Sequence, residues 1–239
     1  MEPQPEIDNA LVCGAALSVT AEELELAGVE VKDRAAFTAL SQVVNLHKIT
    51  LSKMTFADAG WDGLLAGIKA GTRLTHLSLT ACGLGPKHAA DLADVFSPSG
   101  GCNIDTLCLA KNGLTGATFY SSGNIRAGVD SNLDGIITLL TALKTSQVIC
   151  IDFSGCGLGP GSMGHLAEYL RDAIAAVVDI ALDGCPLTGA TKMYSDDPVF
   201  NKDIDKEMAG FVALCAVLGK MQKISLSNCG LGPTSMGEL

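Results

Sequence analysis

The stretch CGLGP occurs three times in this chain, at residues 82–86, 156–160 and 229–233. Successive copies lie 74 and 73 residues apart. Cysteine at so regular an interval is compatible with a metal ligand, one half of a disulfide, a reactive thiol or the marker of an internal repeat. The residues that surround each copy decide between these alternatives.

Each copy ends a longer segment in which apolar and polar residues alternate: LTHLSLTACGLGP (74–86), VICIDFSGCGLGP (148–160) and MQKISLSNCGLGP (221–233). Related segments lie between them, at 104–116 and 177–189, and weaker ones precede them, at 21–31 and 46–56. Such alternation predicts a short strand with one buried face. Apolar residues at helical spacing, such as Ala89, Leu92 and Phe96, predict a helix behind the turn. We therefore expect one strand and one helix to recur about seven times.

The pattern resembles a leucine-rich repeat of the ribonuclease-inhibitor-like subtype, and its clearest copy contains Leu74, Leu77, Leu79, Cys82 and Leu84. The resemblance covers residues 21–239. It implies an α/β fold, a right-handed β-α solenoid curved into a horseshoe, with a parallel sheet on the concave side and helices on the convex side. We expect about seven repeats with two inserted loops.

The two ends of the chain differ from this regular pattern. Residues 1–20 are expected to form an N-terminal cap, in which the apolar stretch 7–19 offers one short helix. The last repeat reaches only Leu239, which corresponds to Leu166 within the helix of an earlier repeat. We therefore expect the last repeat to be truncated.

In the resembled family, the last position of each pattern, here called the repeat slot, lies at the end of the strand with its side chain turned inward. A slot side chain satisfies backbone groups where the chain leaves the sheet. Asn112 in this position favours a structural role over metal binding, because the slots form a line and do not converge. A disulfide between Cys156 and Cys185 is sterically conceivable, since adjacent strands lie about 4.8 Å apart. The structural slot residues are Cys82, Asn112, Cys156, Cys185 and Cys229.

Two intervals between slots are longer than the others and define two insertions. Both intervals begin with LTGAT, at residues 114–118 and 187–191, and the extra residues are 119–134 and 192–207. Each insertion precedes a predicted helix, so both are expected at the same edge of the fold. They lie two repeats apart, so their roots should be about 10 Å apart and within reach of each other.

The insertions are the first candidates for function, because a repeat scaffold does not need them. They contain aromatic and charged side chains of the kind that anchor protein interfaces. The alternative, that the aromatic side chains pack the insertions onto the scaffold, stays open at this point. The predicted partner-binding residues are Phe119, Tyr120, Arg126, Tyr194, Asp196, Asp197, Phe200 and Lys202.

The outward positions of the predicted strands are a second candidate surface. They form rows across the sheet, and the first row contains Glu23, Lys48, His76, Thr106, Cys150, Asp179 and Lys223. The three rows contain no aromatic residue and no arginine, which makes this face a poorer source of binding energy than the insertions. The candidate residues of the concave face are Lys48, His76, Asp152, Asp179, Asp183 and Lys223.

The sequence offers little support for catalysis or cofactor binding. Asp130, Asn132 and Asp134 match the start of a calcium-binding loop, but the twelfth position is Thr141 instead of glutamate. These residues are a weak Ca²⁺ candidate, and the alternative is a helix start near Asp134. The chain contains no phosphate-binding loop, no G-x-S-x-G, no H-E-x-x-H and no C-x-x-C. We expect no enzymatic activity, no cofactor and no metal centre.

Charge and cysteine content limit the location and the partners. The net charge of −10 argues against nucleic acid as a partner. The first ten residues lack the basic and apolar regions of a secretory signal, and no apolar run is long enough to span a bilayer. Nine cysteines without such a signal indicate free thiols in a reducing compartment, which is the cytoplasm or the interior of an organelle.

The expected function is that of a non-catalytic protein–protein interaction module or scaffold inside the cell. Its partner would be another protein, including the subunits of a large complex, and the module would belong to a larger protein or assembly. The resemblance leaves two alternatives open, a regulatory module of the GTPase-activating type and the sensor repeats of an innate-immunity receptor. Both rest on analogy at the level of the fold.

Overall fold

The structure, a computed structural model, describes residues 9–12, 15–18, 20–71, 73–97, 100–173, 175, 177–192 and 199–239. Its centre is a parallel sheet of seven strands. The strands are β1 Glu23–Ala27, β2 Lys48–Ser52, β3 His76–Thr80, β4 Thr106–Cys108, β5 Cys150–Asp152, β6 Asp179–Ala181 and β7 Lys223–Ser225. They are hydrogen-bonded in the order in which they occur in the chain. The predicted α/β class with a parallel sheet is confirmed.

A helix follows every strand of this sheet. The helices are a 3₁₀ helix Arg34–Gln42, α1 Asp58–Ala70, α2 Pro86–Phe96, α3 Asp134–Leu143, α4 Pro160–Asp172, α5 Ala209–Leu218 and α6 Pro233–Glu238. Helices α2 and α3 approach each other closely, as do helices α4 and α5, because a glycine near the start of the second helix leaves room for the backbone of the first. A Cβ atom on Gly135 would overlap the carbonyl of Pro86, and one on Gly210 would overlap that of Pro160.

The register of the sheet agrees with the rows predicted from the sequence. Glu23, Lys48, His76, Thr106, Cys150, Asp179 and Lys223 are consecutive register partners across all seven strands. The residues between these positions point to the other side of the sheet and are buried, for example Leu77, Leu107 and Ile151. One face of the sheet therefore packs on an aliphatic core, and the other, here called the open face, does not.

Each CGLGP stretch joins a strand to a helix, as its composition predicts. Cys82 and Leu84 are buried beyond β3, and Pro86 is the first residue of α2. Pro160 and Pro233 begin α4 and α6 in the same way. Proline suits this position because its missing N–H would have no partner in the first turn of a helix.

The repeat slots satisfy backbone groups, as the sequence predicts. The side chain of Asn112 accepts hydrogen bonds from the N–H groups of Cys82 (2.9 Å) and Leu84 (3.1 Å), and it donates to the carbonyls of Leu79 and Leu109. The slot thiols donate to a carbonyl of an earlier strand segment, as Cys156 does to Leu109 at 3.0 Å. The eight cysteines among the described residues are all free, including Cys156 and Cys185.

The expected helix near the N-terminus is wrong. Residues Asn9–Val12 and Ala15–Ser18 pair as two antiparallel strands, with Val12 opposite Ala15. Short apolar runs do not distinguish a strand from a helix by their periodicity alone. Gly14 between the two runs disfavours a continuous helix through them.

No helix in the described part of the chain combines the length and the apolar character that crossing a membrane requires.

Candidate functional site

The two insertions begin with the same buried contact to the next repeat. Thr115 and Thr188, the first threonines of the two LTGAT stretches, are fully buried. The hydroxyl of Thr115 donates to the carbonyl of Gly157 at 2.6 Å, and that of Thr188 donates to the carbonyl of Gly230 at 3.0 Å. Each LTGAT stretch is thereby fixed to the CGLGP stretch that follows it.

Close packing reinforces this contact between the LTGAT and CGLGP stretches. Gly157 has a φ of +74°, and a Cβ atom there would overlap the methyl group of Ala117. Gly230 is placed in the same way against Ala190. Gly83, in the first CGLGP copy, has no atom within 4 Å of the corresponding position, and no LTGAT stretch precedes it in the sequence. The period of about 73 residues therefore reflects a contact between each LTGAT stretch and the CGLGP stretch that follows it.

The insertions end with an aspartate that caps the next CGLGP helix. The carboxylate of Asp130 accepts hydrogen bonds from the N–H groups of Gly159 (3.0 Å) and Ser162 (3.1 Å) at the start of α4. Asp205 accepts three such bonds at the start of α6, from Gly232, Thr234 and Ser235. Burial alone would raise the pKa of Asp205, but the side chain of Ser235 and these N–H groups together lower it. Both ends of each insertion are thus held by the scaffold, and the described residues between them are half-buried or exposed.

These residues come together in one depression. Thr118–Phe119 pairs with Ile125–Ala127 in the first insertion, and Thr191 bridges to Lys202 in the second. Tyr120, Ile125 and Arg126 of the first insertion and Lys192 and Phe200 of the second line a cavity of about 320 Å³. The predicted proximity of the insertions is confirmed. Ile125 and Lys192 are lining residues that the sequence analysis did not single out.

Cation–π contacts organise this cavity, here called the insertion pocket. The guanidinium carbon of Arg126 lies 5.9 Å from the ring centre of Tyr120, and the Nζ atom of Lys192 lies 5.2 Å from that of Phe200. Such contacts hold a cation beside an apolar ring surface. The pocket therefore combines aromatic surface with two positively charged side chains.

The insertion pocket continues onto the open face of the sheet. A second depression of about 480 Å³ shares Ile125, Lys192 and Phe200 with the insertion pocket and extends to Asp152 and Asp183. A third, of about 330 Å³, lies over strands β4–β7 and shares these two aspartates with the second. Together the three depressions form one surface groove, here called the groove, which joins the insertions to the carboxyl half of the sheet.

Four of the predicted open-face residues line the groove, and two do not. Asp152, Asp179, Asp183 and Lys223 line the depression over the sheet. Lys48 lies on β2 and forms an ion pair of 3.0 Å with Glu23. His76 lies on β3, with its Nδ1 atom 3.0 Å from the hydroxyl of Thr75 and 3.8 Å from Asp105.

The other predicted partner-binding residues are distributed differently. Phe119 is half-buried against the scaffold beside Gly113, which fits the packing alternative for this one aromatic residue. Lys202 is exposed and pairs with Thr191 through its backbone. Tyr194, Asp196 and Asp197 lie outside the described residues.

The residues of the weak calcium candidate are engaged in local structure. Both carboxylate oxygens of Asp130 accept hydrogen bonds from α4, and the side chain of Asn132 accepts one from the N–H of Asp134 at the start of α3. Within the described ranges, no three side chains of His, Cys, Asp or Glu are grouped so that they could hold a metal ion. Capping therefore accounts for the aspartate at this place in the sequence.

Two thiols on the open face are placed beside carboxylates. Cys108 donates to Asp152 at 3.4 Å, and Cys150 donates to Asp179 at 3.9 Å. Burial raises the pKa of Cys150, and the charge of Asp179 raises it further. A nucleophilic cysteine needs the opposite environment, which lowers the pKa of the thiol. At His76, the neighbouring hydroxyl and carboxylate both approach the same ring nitrogen, whereas a catalytic triad uses both nitrogens.

A scan against models of protein families found no match to this chain, and a search of the curated proteins found no matching sequence.

Proposed function

We propose that the chain is a leucine-rich repeat solenoid of the ribonuclease-inhibitor-like subtype that binds another protein and has no catalytic activity. The strand order supports the solenoid, because a doubly wound sheet reverses its strand order at one point and this sheet does not. The unbroken register of outward residues across seven strands supports it as well. In this proposal the open face is the concave side of a right-handed horseshoe.

The observation that carries the binding function is the convergence of the two insertions on one groove. A scaffold that only needed to close its turns would not require aromatic side chains from two different repeats in one exposed cavity. Tyr120 and Phe200 are half-buried, and each holds a cation over its ring. Aromatic side chains in a partly enclosed pocket are the usual centre of the binding energy in protein interfaces.

The binding partner in this proposal is a protein segment in a reducing compartment, including a segment of a subunit in a larger assembly. The net charge of −10 and the carboxylates of the open face disfavour nucleic acid. The hydrogen-bonded, high-pKa thiol of Cys150 fits a binding surface better than a reactive centre.

The test is a selection of binding segments followed by aromatic substitution. A displayed library of random 12-residue segments is selected against the intact protein, and the affinity of enriched segments is measured by fluorescence anisotropy. The double variant Tyr120→Ala, Phe200→Ala should weaken binding at least about tenfold, because each aromatic anchor is worth about 1–2 kcal/mol.

The matched control removes two exposed apolar side chains that lie elsewhere. Val44 and Met236 are 65% and 59% exposed and do not line the groove. The variant Val44→Ala, Met236→Ala should bind within about twofold of the unchanged protein. A selection that enriches no segment, or segments that bind the aromatic variant equally well, contradicts the proposed function. Shortening the insertions is a poorer test, since it would also remove the capping residues Asp130 and Asp205.

A further inference from the structure

The groove has opposite charges at its two ends. Over the sheet it is lined by the carboxylates of Asp152, Asp179 and Asp183 and by Lys223, the register partner of Asp179 on β7. The joining depression contains Lys111 and Lys192 beside Asp152 and Asp183. The insertion pocket is lined by Lys192 and Arg126 and by no described carboxylate. The separation is a property of the tertiary structure, because these residues come from four strand segments and two insertions.

The three carboxylates form no ion pair with any described residue. This differs from the first part of the same sheet, where Glu23 on β1 is paired with Lys48 on β2 at 3.0 Å. It also differs from the helices, where Lys144 is paired with both Glu168 (2.6 Å) and Asp172 (3.3 Å). Asp152 and Asp183 instead accept hydrogen bonds from neighbouring N–H, hydroxyl and thiol groups.

The three aspartates are close enough for their charges to interact, and within the described residues they do not form a group that could hold a metal ion. Asp179 and Asp183 are four residues apart along β6 and its continuation, which corresponds to about 13 Å. Asp152 is on the neighbouring strand opposite Ala181, midway between them. Its Cα atom is therefore about 8 Å from each of theirs, comparable with the Debye length of about 8 Å at physiological ionic strength. Repulsion among the three favours a partner that brings positive charge.

The cationic end has a similar need for a partner of opposite charge. Arg126 of the insertion pocket is exposed and forms no ion pair within the described residues. Between the two ends lie Ile125 and the ring of Phe200, which line both the insertion pocket and the joining depression. The groove therefore runs from an acidic depression over the sheet, through a joining depression of mixed charge that contains Ile125 and Phe200, to a basic insertion pocket.

We infer that the groove binds a protein segment of complementary order, with lysine or arginine over Asp152, Asp179 and Asp183, an apolar residue over Ile125 and Phe200, and an acidic group beside Arg126. This inference rests on the proposed function and adds the chemistry and the direction of the bound segment. Charge complementarity of this kind sets the orientation and the association rate of a partner more than the total affinity.

The test uses the segments selected from the random 12-residue library as probes. Enriched segments should carry at least two basic residues on one side of an apolar residue and an acidic residue on the other. The triple variant Asp152→Asn, Asp179→Asn, Asp183→Asn keeps an oxygen acceptor at each position. It should weaken binding at least about tenfold at 50 mM salt and by less at 500 mM salt, because salt screens these charges.

The matched control makes the same change of charge outside the groove. Asp62, Asp94 and Glu238 are exposed on helices α1, α2 and α6. The variant Asp62→Asn, Asp94→Asn, Glu238→Gln should bind within about twofold of the unchanged protein. Circular dichroism and thermal melting establish that both variants are folded, and a segment with its charges exchanged end for end should not bind.

The outcomes separate this inference from the function on which it rests. Segments that need Tyr120 and Phe200 but bind the triple variant as well as the unchanged protein overturn the charge assignment and leave the proposed function standing. A selection without enriched segments overturns both. Sedimentation of the protein alone tests a second copy of the chain as the occupant: a dimer that the triple substitution dissociates would also overturn the inference.

Discussion

The Oδ1 atom of Asp130 accepts a hydrogen bond from the N–H of Gly159 at 3.0 Å, across 29 residues of sequence. It joins the end of the first insertion to the start of helix α4. Asp205 and Gly232 repeat the relationship at the second insertion, at 3.1 Å. The insertions are therefore part of the scaffold at their roots and candidates for binding at their tips.

Replacing Asp130 should destabilise the fold, because two N–H groups at the start of α4 lose their acceptor. Asp130→Ala is expected to reduce the free energy of unfolding by about 2 kcal/mol, measured by urea denaturation. Asp134→Ala is the matched control in the same insertion. Its carboxylate makes no hydrogen bond in the described structure, so the change should cost about 0.5 kcal/mol or less.

The same pair of variants tests the calcium candidate. If Asp130 caps α4, isothermal calorimetry should show no Ca²⁺ binding, and added Ca²⁺ should leave the melting temperature unchanged. A melting temperature that rises with Ca²⁺ in the unchanged protein, and does not rise in Asp130→Ala, would contradict the capping role.

Because only some CGLGP stretches contact an LTGAT stretch, substituting equivalent glycines with alanine should reduce stability by unequal amounts. Gly83 and Gly157 both have positive φ, +66° and +74°, so alanine at either site should cost about 1–2 kcal/mol. Only Gly157 abuts Ala117, and overlap with a packed methyl group typically adds about 1–3 kcal/mol. Chemical denaturation should therefore rank Gly157→Ala below Gly83→Ala in stability. Equal losses of stability in the two variants would mean that the LTGAT and CGLGP stretches do not pack as described.

Tyr169 should be replaceable by phenylalanine with a gain in stability. Its side chain is fully buried on α4, and its hydroxyl has no hydrogen-bond partner in the described structure. Burial also raises the pKa of this hydroxyl well above its usual value. Removing an unsatisfied buried hydroxyl should stabilise the fold by about 1 kcal/mol. A loss of stability in Tyr169→Phe, measured by thermal denaturation, would indicate a partner for the hydroxyl.

The buried slot thiols should make the fold sensitive to alkaline pH. Burial raises the pKa of Cys82 and Cys185 to about 11 and that of Cys229 to about 12. An acid whose pKa is higher in the folded state stays protonated there while the unfolded chain loses its proton. The stability is therefore intact below the unfolded pKa of about 8.5 and falls as pH rises toward 11.

Urea denaturation between pH 7 and 10.5 measures this dependence. Cys185→Ala removes one of the titrating thiols, so its free energy of unfolding should fall less steeply with pH than that of the unchanged protein. Parallel pH profiles for the two proteins would exclude this thiol as a contributor.

The sequence predicts those parts of the fold whose pattern recurs at the same position in every repeat. The alternation around Leu77 and Leu79 recurs at every strand, so aligning the slots also aligns the register. The contacts that fix the insertions were missed because Thr115 resembles any polar loop residue, Asp130 also matches the start of a calcium-binding loop, and their partners lie 42 and 29 residues away. The signal in the sequence is the repeated LTGAT, because an identical stretch before both insertions implies that both make the same contact.

The groove depends on tertiary placement and is only partly visible in the sequence. Tyr120, Arg126 and Phe200 were predictable from the composition of the insertions. The participation of Lys111 and Ile125 was not, because neither is unusual in its own segment. The N-terminal hairpin was missed for another reason: a short apolar run has no tertiary context in the sequence that would choose strand over helix.

The most direct test of the central claim is to map the bound segment on the protein by NMR. A selected segment is titrated into ¹⁵N-labelled protein, and the amide shifts are recorded. The account predicts the largest shifts at Ile125, Phe200, Asp152 and Asp183, which line the groove, and small shifts along helices α1 and α2. Largest shifts on those helices, or on β1 and β2, would contradict the claim that the insertions and the carboxyl half of the sheet form the binding site.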